Sequence, residues 1–183
     1  FSFTGNTTAF VQMEDGVNEK GLAVGLTSIY PPSTRPGMNA GLLLRFFLEK
    51  CSSVDEVVSY MSKLPISSAQ TFTVADVTGN LAVLESYCDR VIVLRPSIEK
   101  NYLCATNRFH STELSFANNN KIDDWQAEKR YQTLVNFLDT RAKEMSLEEA
   151  EKLLRGEYGF LCQYDRTTGK DTVWSVLYDL KQH

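Results

Sequence analysis

Asn107 is the residue of this chain best suited to do chemistry. It closes the apolar stretch Tyr102-Leu-Cys-Ala-Thr106, where a strand gives way to a loop and side chains turn into a cleft. Its amide carries two N–H donors and no charge to titrate, so it can hold an oxyanion as one develops on an attacked carbonyl, an effect worth roughly 3 kcal/mol of barrier. Capping its own turn is the competing role. Thr27, after Gly25-Leu26, offers a backbone N–H and a hydroxyl, although β-branched residues are ordinary in strands. Arg130 adds a cation just before Tyr131, beside the equally ordinary surface cations Lys129 and Arg141. Tyr30 and Phe109 are aromatics at strand ends, fit to line an apolar pocket or to fill a core.

Other chemistries lack their residues. Cys51, Cys88, Cys104 and Cys162 show no C-x-x-C spacing and no histidine in metal-ligand register, so no metal or other cofactor is expected. A Cys–His pair would need His110 or His183 beside a cysteine, which nothing in the spacing suggests, and no Gly-x-Ser-x-Gly, phosphate loop or His-Glu-x-x-His is present. Cys104 and Cys162 sit in apolar surroundings and read as small buried hydrophobes. The even count permits two disulfides, but a chain with a substantial core does not need them, and reduced thiols in the cytoplasm fit equally well. A net charge of −4 with scattered basic residues argues against nucleic acid as a partner. The longest apolar stretch, Ala40 to Leu48, is interrupted by Arg45 and is too short for a membrane span.

The elements that must position these residues follow from periodicity and punctuation. Thr7 to Met13 resembles a strand, Asp15-Gly16 suits a tight turn with φ > 0, and Gly21 closes a corner after Asn18-Glu19-Lys20. Leu22 to Leu26 then reads as a buried strand whose Gly25 leaves room for a close approach. After the proline loop from Pro31 to Pro36, Asn39 to Lys50 has helical spacing, and Ser53-Val-Asp-Glu56 is a capping box opening a helix that Pro65 ends. Phe72–Val74, Leu81–Val83, Val91–Val93 and Tyr102–Cys104 predict an antiparallel meander. Asp123-Asp124 opens a further helix, Ser146-Leu-Glu-Glu149 caps another, and Phe160–Tyr164 with Thr172–Leu180 predicts a closing strand pair around Arg166–Lys170. Strands and helices in runs argue α+β with antiparallel sheets. At 183 residues and 43% hydrophobic composition, one domain over 1–183 is long enough to bury a core.

Three segments in this order are recognisable together: Asn18-Glu-Lys-Gly-Leu22, Thr106-Asn107-Arg-Phe109, and Thr172-Val-Trp-Ser-Val-Leu-Tyr-Asp-Leu180. The chain resembles the choloylglycine hydrolase, penicillin V acylase and acyl-CoA:6-aminopenicillanic-acid acyltransferase group of N-terminal-nucleophile hydrolases. The resemblance implies a four-layer αββα sandwich with two mainly antiparallel sheets. It also implies cleavage of linear carbon–nitrogen amides in small acylated amines, amino acids or β-lactam side chains, or acyl transfer by the same intermediate, and leaves homo-oligomerisation open. Asn107 matches the asparagine that faces the nucleophile in the group, and Arg130 loosely matches an arginine that approaches it. Thr27 stands where the bile-salt and penicillin branch has an oxyanion-hole asparagine. The group attacks with a cysteine at residue one of the mature chain, whereas residue one here is Phe1, whose ring neither attacks a carbonyl nor relays a proton. The expectation is a domain incomplete at its N-terminus, with the cysteine in a preceding segment. A relative that has lost its nucleophile and serves as a binding scaffold, or a nucleophile on a separate chain, are the alternatives.

Overall fold

A meander of strands carries the site. In the computed structural model, which describes residues 1–30, 33–67, 69–141, 145–162 and 164–181, the strands β1 (Phe3–Asn6), β2 (Asp15–Asn18), β3 (Leu22–Ile29), β4 (Ala69–Asp76), β5 (Leu81–Tyr87) and β6 (Arg90–Leu94) form one six-stranded antiparallel sheet in sequence order. Helices α1 (Ala40–Lys50) and α2 (Val54–Met61) lie between β3 and β4 in the chain. Later come α3 (Ala127–Arg141), α4 (Leu147–Leu154) and the short antiparallel pair β7 (Tyr164–Asp165) and β8 (Lys170–Asp171). The α+β class with antiparallel sheets is thus observed. Pro31, Pro32, Gln163 and His183 lie outside the described residues.

Alternation along β3 divides its side chains between two environments. Leu22 and Val24, with Phe72, Val74, Ala82 and Leu84, pack on Leu43, Leu44, Phe47 and Leu48 of α1 and on Val54, Val57 and Met61 of α2. The Phe47 and Phe72 rings meet edge to face at 5.4 Å. Each large side chain buried there contributes about 1.5–3 kcal/mol. On the other face Ile29 and Ala69 pack with Phe109, Leu114 and Ala117 in a second, smaller core. The loop that carries Asn107 is therefore anchored on the sheet face opposite α1 and α2.

Two polar hubs fix α1 and α2 to the sheet. Buried Asn18 donates to the carbonyls of Leu48 and Cys51 at 2.9 and 2.8 Å and accepts from the amides of Lys20 and Leu22 at 3.0 and 3.1 Å. It thus satisfies orphan carbonyls at the end of α1 while shaping the turn into β3. Buried Asp76 accepts from the Val54 amide at the start of α2 at 3.0 Å, from the Thr78 amide and hydroxyl at 3.0 and 2.5 Å, and from the Asn80 amide at 3.3 Å. Burial alone would raise its pKa, but these donors outweigh it and hold the carboxyl below its ordinary value. A folded-state pKa below the unfolded one gives stability that is present above about pH 3.9 and lost as pH falls through the lower folded value. Urea midpoints measured from pH 5 down to pH 2 should fall less steeply for Asp76→Asn than for the wild type, from a lower starting stability.

Several expectations are corrected. Thr7 to Met13 is a turn-rich connection, and Asp15-Gly16 lies inside β2 and not in a turn. Gly16 is there because a Cβ would stand 2.5 Å from Leu48 Cδ1 and 2.9 Å from the Thr4 carbonyl oxygen. Gly21 does close the corner, at φ 76°. Gly25 meets nothing within 4 Å of where a Cβ would sit, so its effect is open space on the sheet face shared with Thr27. Tyr102–Cys104 and Thr172–Leu180 are not strands, and only β7 and β8 flank the turn near Arg166. Their alternation is real, but a strand needs a neighbouring ladder, and among the described residues neither segment has one. The second segment is held by side chains instead: Trp174 Nε1 donates to Asp15 Oδ2 at 2.9 Å, and the Tyr178 hydroxyl donates to Asp15 Oδ1, which also accepts from Asn6 Nδ2 at 2.8 Å. Burial, then the bond to Asp15 and its charge, push the Tyr178 pKa up.

Candidate functional site

Asn107 follows Thr106, whose hydroxyl lies 3.0 Å from His110 Nε2 and whose backbone bridges to Arg108. The half-buried Asn107 amide is held at both ends. Its Nδ2 donates to the Ser28 carbonyl of β3 at 2.9 Å, and its Oδ1 accepts from Arg130 Nη2 at 2.7 Å. This orientation is forced, because the reversed amide would set its NH2 group against the guanidinium donors. Among the described residues the second Nδ2–H has no acceptor and is available to a ligand. Asn107 and Arg130, far apart in sequence, are thus brought into direct contact.

Arg130 lies in the first turn of α3, which begins at Ala127 and not at Asp123-Asp124. Trp125 and Gln126 adopt φ of 55° and 54°, outside any helix. Asp124 Oδ1 accepts from the Ala127 amide at 3.2 Å, while Arg130 Nε donates to the Trp125 carbonyl at 2.9 Å and Nη2 to the Asp124 carbonyl at 3.2 Å. The strained corner is held by the same guanidinium that orients Asn107. Burial lowers the Arg130 pKa, opposed by the charge of Asp124, and the group stays cationic at neutral pH. Tyr30 is exposed and its ring lies 5.8 Å from that of Trp125 at 54°. Ile29, Tyr30, Asn107, Arg108 and Asp124 line a small cavity between them.

The remaining expected site residues divide. Thr27 lies on the sheet face of Ile29, paired in register with Thr71 of β4, and is half-buried. Phe109 is 3% exposed inside the second core, so it supports the Asn107 loop and lines no open surface. The four cysteines are free thiols. Burial, then the charge of Glu56, push Cys51 up to about 12, and burial, then Asp139, push Cys104 up to about 11. Neither is an activated nucleophile. His110 is stacked on Tyr131 with centroids 3.6 Å apart, and burial lowers its pKa against the opposing charges of Glu85 and Glu128, which keeps it neutral at pH 7. Among the described residues no group of three or more His, Cys, Asp or Glu is placed to hold a metal ion, and no helix is long and apolar enough to cross a membrane.

Sequence reasoning missed Ser28, the Asp124–Gln126 corner, Glu85 and Asp15. Only Glu85 carried a legible signal, a carboxylate in the apolar run Leu81-Ala-Val-Leu84.

Comparison with known proteins bears on the family and the fold. The family model described as acyl-coenzyme A:6-aminopenicillanic acid acyl-transferase matches residues 1–183. The conjugated bile acid hydrolase of Clostridium perfringens, solved as a single-residue variant, superposes with a TM-score of 0.62 at 17% identity over 93% of this chain and 67% of that one. The Caenorhabditis elegans ortholog of N-acylethanolamine-hydrolyzing acid amidase gives 0.58 at 16% identity over 83% of this chain and 67% of that one. Penicillin V acylase from Agrobacterium tumefaciens is 25% identical over 46% of this chain and 30% of that one, with a TM-score of 0.38. No curated protein matches. The shared architecture is the N-terminal-nucleophile hydrolase fold, as the resemblance implied.

Proposed function

Because this chain belongs to the acyl-coenzyme A:6-aminopenicillanic acid acyl-transferase family, we propose that it forms the body of an N-terminal-nucleophile amidase that cleaves linear carbon–nitrogen amides of small acylated amines, with Asn107 as oxyanion donor and Arg130 holding it. The observation that carries this reading is the locked Asn107 amide, with Oδ1 on Arg130, one N–H on the Ser28 carbonyl and one N–H left over. A donor fixed before the reaction needs no reorganisation as charge develops on the attacked carbonyl oxygen. The nucleophile in this reading is a cysteine in a segment preceding Phe1, its thiolate adding to the amide carbon and its α-amino group passing the proton to the departing amine. Water resolving the acyl-enzyme gives hydrolysis, and an amine resolving it gives acyl transfer, the second reading that the family's name favours.

Thr27 contributes its hydroxyl, since its backbone pairs with Thr71 of β4, and Tyr30 a wall for the acyl group in this proposal. The free thiols support a reducing compartment such as the cytoplasm. The test is trapping: the complete protein, mixed with an activated amide or ester and quenched within the first turnover, should show by mass spectrometry one acyl adduct on a cysteine preceding Phe1. No adduct and no burst of released amine would leave a scaffold without chemistry in place of the enzyme.

A further inference from the structure

Glu85 lies in the middle of β5, 1% exposed, on the sheet face that carries the Asn107 loop. In register it stands beside Thr71, which in turn stands beside Thr27. Among the described residues it pairs with no lysine or arginine, and its partners all belong to the loop after Asn107. Oε1 accepts from the His110 amide at 2.6 Å, and Oε2 accepts from the Ser111 amide at 3.0 Å and the Ser111 hydroxyl at 2.5 Å. A buried carboxylate without a counter-cation survives only when donors fill its lone pairs, so the strand and the loop hold each other in one geometry. Asn118 clamps the residue between, donating to the Phe109 carbonyl at 3.0 Å and accepting from the Phe109 amide at 2.8 Å. From this backbone Asn107 reaches back to the Ser28 carbonyl of β3.

We propose that Glu85 is a positioning residue for the reaction: its buried carboxylate fastens the backbone of His110 and Ser111 to the sheet and thereby sets where the Asn107 amide stands. The inference rests on the reading of Asn107 as the oxyanion donor. A glutamine at this position keeps the shape but turns an NH2 group toward backbone N–H donors, so the fastening fails without leaving a cavity.

The test combines amide hydrogen exchange with kinetics on the complete protein. In Glu85→Gln, exchange at residues 107–111 should rise at least about tenfold while β4 and α1 stay protected. kcat should fall about tenfold with KM within about twofold, and in an Asn107→Ala background the same change should cost almost nothing more, because both act through one group. If Glu85→Gln does not fold, Ser111→Ala, which removes one of the donors, should show the same pattern at about threefold. Unchanged exchange in the loop, or losses that multiply in the double variant, would overturn the proposal. An inactive wild-type protein whose loop still loosens in Glu85→Gln would sink the amidase reading and leave the anchor standing, whereas an active one with a loop indifferent to Glu85 would sink the anchor alone.

Discussion

Replacing Asn107 by alanine in the complete protein is expected to lower kcat on the order of a hundredfold while KM changes little, as for removal of one oxyanion donor elsewhere. The side chain is half-buried and at the edge of the second core, so the truncation leaves Phe109, Leu114 and Ala117 packed. Its partners lose little, since the Ser28 carbonyl is near the surface and Arg130 keeps its bonds to the Asp124 and Trp125 carbonyls. Thermal stability should therefore drop by no more than about 1 kcal/mol. Thr27→Ala is the control. It removes one hydroxyl and leaves the backbone pairing with Thr71 intact, so it should cost less than about threefold in kcat. Near-full turnover by Asn107→Ala, or its unfolding, would return the residue to the role of a loop cap.

Much of the fold was legible because it is locally encoded. β3, β4 and β5 are apolar runs that the sheet buries, with Leu22, Val24, Phe72, Val74, Ala82 and Leu84 turned to α1 and α2, and the starts of α2 and α4 follow from side-chain caps. Ser146 and Glu149 form the reciprocal capping box, whereas Glu56 accepts at 2.5 Å from the amide of Ser52, one residue before the cap. What failed was whatever depends on distant partners. Alternation in Tyr102–Cys104 and Thr172–Leu180 states which faces differ but not whether a ladder stands alongside. The Asn-Glu-Lys-Gly stretch read as a charged tip, yet Asn18 is 4% exposed and ties α1 to the sheet. Asn107 was visible from its donor chemistry and its place after an apolar run. Its contacts with Ser28 and Arg130 were not, because separations of 79 and 23 residues leave no periodic trace.

Arg130 concentrates what sequence reading misses, and its replacement should have the next largest effect. Lysine keeps the charge but offers a compact ammonium in place of a planar fork, and no single point reaches the Asn107, Asp124 and Trp125 oxygens that the guanidinium serves at 2.7 to 3.2 Å. Left without it, the corner of consecutive positive-φ residues Trp125 and Gln126, each costing about 1–3 kcal/mol, loses the guanidinium bonds to the Trp125 and Asp124 carbonyls. Two results should follow from Arg130→Lys. The Asn107 amide becomes free to reverse, which lowers kcat about thirtyfold, and the corner before α3 relaxes, which lowers the stability by about 1–2 kcal/mol. Because the fork is the missing element, added guanidinium ion should restore part of the turnover of Arg130→Ala, while an alkylammonium ion of equal charge should not. Equal rescue by both ions would mean that Arg130 acts by charge alone, and full activity in Arg130→Lys would remove it from the site.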